Sequence, residues 1–133
     1  MNYWLLKTEP EVYSWDTLVK EKEGTWDGVR NHQARLNILK MKKGDRAFIY
    51  HTGNEKAVVG VALVTSAPFP ERNAEEWVSV RIKPEQKLGN PVNLATIKSE
   101  KKLSNISLVK NSRLSVHELS AEAFDHILKL SKS

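Results

Sequence analysis

The residue types that could do chemistry are concentrated in one stretch of six, with the sequence WDGVRN at residues 26–31. An indole ring can stack on a flat ligand, and a glycine lets the backbone approach that ligand closely. A guanidinium and a side-chain amide can offer paired hydrogen bonds to a planar heterocycle or to a phosphate. No fold requires this combination for its stability, so we interpret the stretch as a recognition site. Trp26 is expected in a turn, which favours a ligand-facing ring over a core one.

Two short helices are predicted to position this stretch. Ser14 is a candidate N-cap for a helix that runs to about Glu23 and is closed by Gly24. After the stretch, Asn31 can cap a second helix that runs to about Lys42, because the apolar positions 34, 38 and 41 fall on one face. The stretch therefore lies at the mouth of the second helix.

The rest of the chain is dominated by patterns typical of strands. Strands are predicted at residues 3–7, 46–51, 57–64, 77–83 and 114–118, with a hairpin turn at residues 52–54. A weak helix is expected at residues 94–101, and Ser120 is expected to cap a terminal helix. No strand-helix-strand unit repeats, which argues against a doubly wound parallel sheet. We predict one α+β domain over residues 1–133, a small, mostly antiparallel β-barrel flanked by short helices.

Composition narrows the functional classes. The chain has 133 residues and no cysteine, which excludes disulfides, thiolate metal sites and a cysteine nucleophile. The first residues show no basic leader and no long hydrophobic span, so we expect a cytoplasmic protein without a membrane partner.

Positive charge is concentrated in one segment of the chain. The formal net charge is +5, and residues 83–113 alone hold seven basic residues against two acidic ones, which is 7 − 2 = +5. Such a segment fits contact with a polyanion, and it equally fits a solvated lysine-rich surface; charge alone does not choose between them. The seven basic residues are Lys83, Lys87, Lys98, Lys101, Lys102, Lys110 and Arg113.

Catalytic and metal-binding patterns are sparse. The chain has no Gly-x-Ser-x-Gly elbow, no Walker-type loop and no Gly-x-Gly-x-x-Gly, and its four histidines share no two-, three- or four-residue spacing. We therefore expect no catalysis, no metal and no cofactor. The alternative is a small nucleotide-directed hydrolase or deaminase-like enzyme with His51 as base and Asp27 orienting it. A third interpretation is an interaction module whose basic face meets an acidic protein.

Several motifs in order resemble the EVE domain family over nearly the whole chain. They are YWLLKTEP at 3–10, YS at 13–14, WDGVRN at 26–31, QAR at 33–35, MKKGD at 41–45, YHT at 50–52 and VGV at 59–61. The resemblance implies a PUA-like fold. Other members of that superfamily, such as the YTH and SRA-type readers, hold a modified base extruded from its strand between barrel and helices. The resemblance to the EVE domain family therefore implies that this chain reads modified cytosine, methylated or hydroxymethylated.

The same resemblance implies which residues line the pocket. They are Trp4, Lys7, Thr8, Glu9, Pro10, Tyr13, Ser14, Trp26, Asp27, Arg30, Asn31, Tyr50, His51 and Thr52, with Leu114 and Ser115 on the far wall. The seven basic residues of the 83–113 segment are expected to contact the nucleic-acid backbone. The expected partner is a nucleic acid with a modified base, DNA in preference to RNA, and a separately encoded nuclease is a candidate second partner.

Overall fold

The computed structural model describes residues 1–132, which form seven strands and five helices. The strands are β1 (Tyr3–Thr8), β2 (Gly24–Trp26), β3 (Arg46–His51), β4 (Ala57–Val64), β5 (Phe69–Glu71), β6 (Ala74–Asn93) and β7 (Val116–Leu119). The helices are α1 (Trp15–Glu21), α2 (His32–Leu39), α3 (Leu94–Ser99), α4 (Ser107–Lys110) and α5 (Ala121–Leu130).

The strands form one mixed sheet that curls into a half-barrel. Their order is β2-β6-β4-β3-β1-β7, and β5 adds to β6. Within residues 1–132 only β1 and β3 pair in parallel, so the expectation of a mostly antiparallel sheet is confirmed. Helix α2 packs against both β6 and β7, and Asn37 of α2 donates from Nδ2 to the Val116 carbonyl at 2.7 Å. This bond helps cover the edge strand β7, which would otherwise present unpaired backbone groups.

Side chains that alternate along the strands build two hydrophobic layers, one on each face of the sheet. On β1, Trp4 and Leu6 face a cluster that α1 and α2 complete, whereas Leu5 faces a cluster that α5 completes through Phe124 and Ile127. The cavity described below borders the layer that contains Trp4. A residue's place in the alternation therefore decides whether its side chain can reach that cavity.

The helix starts follow the predicted caps. The side-chain oxygens of Ser14, Asn31 and Ser120 each accept the backbone N–H of the residue three positions later, at 3.1, 2.9 and 3.1 Å. The predicted ends are less accurate. Helix α1 ends at Glu21 with Lys22 in the left-handed region at φ 70°, so Gly24 begins β2 instead of closing the helix, and α2 ends at Leu39.

Strands β2 and β5 and the full length of β6 were not predicted. Trp26 is the last residue of β2 and pairs with Val80 of β6, so it does not lie in a turn. Within the basic segment, α3 is confirmed, but a turn of 3₁₀ helix at Lys101–Leu103 and the short helix α4 follow it. No helix within residues 1–132 is both long and apolar enough to span a membrane.

Candidate functional site

A cavity of about 500 Å³ opens where β2 lies opposite the ends of β1 and β7. Its volume falls within the range of roughly 300–1,000 Å³ that is common for ligand sites. The walls come from β1, the turn before α1, β2, the 27–31 segment and the residue before β7. The lining residues are Lys7, Thr8, Val12, Tyr13, Thr25, Trp26, Asp27, Gly28, Val29, Arg30, Asn31 and Ser115.

The structure brings half of the expected pocket residues together at this cavity. These are Lys7, Thr8, Tyr13, Trp26, Asp27, Arg30, Asn31 and Ser115. Sequence reasoning missed Val12, Thr25, Gly28 and Val29 as lining residues. Gly28 and Val29 lie inside the singled-out stretch. Thr25 was missed because β2 was not recognised, and nothing in the sequence marked Val12.

Two aromatic residues that were expected in the pocket lie elsewhere. Trp4 is fully buried, and its Nε1 donates to Asp45 Oδ2 at 3.0 Å, so this indole is a core residue with a satisfied donor. Tyr50 belongs to the hydrophobic layer on the opposite face of the sheet. Burial raises the pKa of its hydroxyl.

His51 does not line the cavity either. Its Nε2 accepts the Trp15 backbone N–H at 3.0 Å, and its Nδ1 lies 2.7 Å from Glu55 Oε1. The first bond requires an unprotonated Nε2, so the neutral ring carries its proton on Nδ1 and donates it to Glu55. The ring thereby holds the start of α1. Since the lone pair that a general base needs is already engaged, the hydrolase or deaminase-like alternative gains no support.

The remaining expected residues stand near the cavity without lining it. Ser14 caps α1, and the Thr52 backbone N–H donates to the Thr8 carbonyl at 2.9 Å. The Leu114 carbonyl accepts from His117 Nε2 at 2.7 Å, directly before Ser115 on the cavity wall. Glu9 and Pro10 form the turn after β1 and are also outside the lining.

An edge-to-face pair of rings forms the aromatic wall of the cavity. Tyr13 and Trp26 have centroids 5.9 Å apart and planes at 84°. Trp26 is only 7% exposed and packs in the core, yet it borders the opening. The Tyr13 hydroxyl donates to Glu21 at 2.6 Å, and burial with that carboxylate raises the tyrosine pKa above its ordinary range. Tyr13 is therefore a neutral, fixed ring.

Polar groups of opposite charge occupy different parts of the lining. Asp27 is exposed, and within residues 1–132 no side chain or backbone group hydrogen-bonds its carboxylate. Asn31 commits its oxygen to capping α2, which leaves its amide NH₂ free to donate. Lys7, from β1, donates to the Ser112 carbonyl at 2.7 Å, and burial lowers its pKa. The lining thus offers a carboxylate acceptor at Asp27 and an amide donor at Asn31, both from the segment that follows β2.

Arg30 is held by Glu71 and is not free to meet a ligand. Two guanidinium nitrogens donate to the two carboxylate oxygens at 2.8 and 2.7 Å, which raises the pKa of Arg30 and lowers that of Glu71. The backbone N–H of Gly28, a residue whose φ of 74° favours glycine, also lowers the pKa of Glu71. Glu71, which sequence reasoning did not single out, therefore clamps the segment that presents Asp27.

The seven basic residues of the 83–113 segment are all exposed but are not gathered at the cavity. Lys98 borders a separate hollow beside α3, and Lys102 borders another beside α5. Arg113 lies two residues before Ser115 of the cavity wall and next to Ser112, whose carbonyl accepts a hydrogen bond from Lys7. Within residues 1–132, no group of three or more potential ligands could hold a metal ion.

Comparisons with known proteins agree with this architecture. A family model described as the EVE domain matches residues 2–130. Human thymocyte nuclear protein 1 is 30% identical over 97% of this chain and 73% of its own length. The NMR structure of Rpa0253 from Rhodopseudomonas palustris is 40% identical with a TM-score of 0.95, covering 99% of this chain and 94% of that one.

A second solved structure is that of human THYN1 in complex with 5-methylcytosine-containing DNA. It is 28% identical to this chain with a TM-score of 0.92, and the match covers 100% of this chain and 99% of that one. The PUA-like architecture that the sequence led us to expect is confirmed.

Proposed function

The chain belongs to the EVE domain family, and on that premise we propose that it binds nucleic acid and reads a modified cytosine held in the cavity beside Trp26. The observation that carries the proposal is the pairing of an aromatic wall with an uncommitted carboxylate, Asp27, in one opening of about 500 Å³. The 5-methylcytosine-containing DNA bound by the human relative supports the same ligand class.

The polar lining matches the hydrogen-bonding edge of cytosine. The exocyclic amine of cytosine is a donor, for which a carboxylate is a suitable acceptor, whereas thymine presents a carbonyl oxygen at that position. Asp27 would therefore accept from cytosine and repel thymine. The side-chain amide NH₂ of Asn31 supplies a donor for an acceptor atom of the same base.

The energetic terms indicate where selectivity arises. Stacking on an aromatic ring contributes about 1–3 kcal/mol, and removing a base from its stack costs a few kcal/mol, so these terms nearly cancel. Burying one methyl group contributes only about 0.8 kcal/mol, or roughly fourfold in affinity. A hydrogen bond to a charged group contributes about 1.5–3 kcal/mol. Discrimination between methylated cytosine and thymine should therefore exceed discrimination between methylated and plain cytosine.

We also propose DNA in preference to RNA as the host strand, cytoplasmic placement and a separately encoded nuclease as a second partner. The DNA complex of the human relative supports the first of these. Binding to matched DNA and RNA strands tests the preference for DNA, and cell fractionation tests the cytoplasmic placement. Affinity capture on a modified oligonucleotide tests the nuclease partner.

Fluorescence anisotropy with short labelled single strands tests the reader function. The strands differ at one central position, which holds cytosine, 5-methylcytosine, 5-hydroxymethylcytosine or thymine. The variant is Asp27→Asn, and the matched control is Asp125→Asn, which removes an exposed carboxylate on α5 outside the cavity. Because both variants lose one negative charge, any general gain in affinity for a polyanion appears in both.

Wild type should bind the methylated strand about fourfold more tightly than the cytosine strand. It should bind the methylated strand more tightly than the thymine strand by roughly tenfold or more. Asp27→Asn should reduce the second ratio toward one, and Asp125→Asn should leave it unchanged. Equal wild-type affinity for all four strands contradicts the proposal.

A further inference from the structure

One lining residue of the cavity, Val12, remains mostly in solvent. Within residues 1–132 it is 77% exposed, as much as the terminal Met1, while it also borders the cavity. Next to it, Tyr13 is partly buried and contributes its ring to the aromatic wall. Two consecutive residues thus present one apolar side chain to solvent at the rim and one ring at the wall.

The turn that carries Val12 is fixed by hydrogen bonds. The backbone N–H groups of Val12 and Tyr13 both donate to the Glu9 carbonyl at 2.9 Å. Thr8 Oγ1 donates to the Tyr13 carbonyl at 2.7 Å, and Pro10 restricts the backbone within the turn. Val12 is therefore held on the rim by the folded state, so little ordering is needed when a partner arrives.

We infer that Val12 enters the gap in the base stack from which the bound base has been withdrawn. The inference rests on the proposed function and adds a residue that acts on the neighbouring bases, outside the cavity. When a base leaves a duplex, the faces of its two neighbours are exposed, and an apolar side chain placed between them restores contact. A base beside Tyr13 and Trp26 leaves its gap at the rim, where Val12 stands.

Paired titrations of a duplex and its single strand test this role. Both carry one 5-methylcytosine in the same sequence, and the duplex has 2-aminopurine as a fluorescent base next to it. Val12→Ser replaces the two methyl groups by one smaller hydroxyl and so removes the apolar surface, whereas Val12→Leu keeps an apolar side chain. The matched control is Val19→Ser, on α1, where an exposed valine (47%) lies outside the cavity lining. Thermal unfolding of each variant verifies its fold.

Val12→Ser should weaken duplex binding by about tenfold, since unstacking is no longer offset, and should change single-strand binding by less than about twofold. Val12→Leu and Val19→Ser should retain duplex affinity. The 2-aminopurine emission should rise more with Val12→Ser than with wild type, because its exposed face is left unstacked.

Unchanged duplex binding by Val12→Ser overturns the inference, and so does an equal loss on duplex and single strand, which would mean that Val12 contacts the captured base itself. Failure of the proposed function looks different. In that case wild type itself shows no preference for the methylated single strand over the plain one, whatever residue 12 is.

Discussion

His117 is expected to make the fold sensitive to mild acid. The ring is fully buried on β7, donates from Nε2 to the Leu114 carbonyl and accepts at Nδ1 from the Ser107 hydroxyl. Burial, with a smaller contribution from the Lys7 charge, lowers its pKa from 6.5 to about 4, and the bond to Leu114 only partly opposes this. The folded state therefore holds a neutral ring at a pH at which the unfolded chain binds a proton.

The sign and size follow from proton linkage. Above about pH 6.5 His117 is neutral in both the folded and the unfolded state, so it imposes no penalty on folding. Between about pH 6.5 and 4 the unfolded state binds more protons than the folded state, so the free energy of unfolding decreases as the pH is lowered. Between pH 7 and pH 5 the free energy of unfolding should drop by about 2 kcal/mol from this group alone. This loss is a large part of a typical domain stability of about 5–15 kcal/mol.

Urea unfolding of wild type and His117→Gln at pH 7 and pH 5 measures the effect. Glutamine can keep a donor toward Leu114 and an acceptor toward Ser107 but does not titrate. Carboxylates and other histidines contribute equally to both proteins, so the difference between the two pH dependences isolates His117. The same loss of stability in both proteins would refute the reasoning.

Two further perturbations test the packing and the clamp. Glu71→Gln should weaken binding of a methylated single strand, measured by anisotropy, because Glu71 holds the segment that presents Asp27. It should leave the melting temperature, measured by calorimetry, nearly unchanged, because the Arg30–Glu71 ion pair is exposed. Gly60→Ala should lower the melting temperature by roughly 4–10 °C, since a Cβ there would lie 2.6 Å from Trp15 ring carbons; equal melting temperatures would contradict this.

Features that depend on local sequence could be predicted. Ser14, Asn31 and Ser120 begin helices because a side-chain oxygen caps the N–H three residues on, and that signal lies within one turn of chain. The contiguous 26–31 stretch also supplies six of the cavity's lining residues. Such signals need no knowledge of distant contacts.

Features that depend on distant partners could not be predicted. Strand β2 has three residues and exists through its pairing with β6, and Glu71 reaches Arg30 across 41 positions of chain. Trp4 and Tyr50 occur in motifs that the family resemblance placed at the pocket, but Trp4 is sealed in the core and Tyr50 faces the other hydrophobic layer. The resemblance located the right segments without saying which side of each strand faces the cavity.

If the modified base enters the cavity, its methyl group must lie against the aromatic wall in solution. A single strand with one ¹³C-methyl-labelled 5-methylcytosine, titrated with the protein, reports that position by NMR. We expect an upfield methyl shift and NOE contacts to the rings of Trp26 and Tyr13. Saturated binding with an unshifted methyl, or with contacts to the basic segment alone, would contradict it.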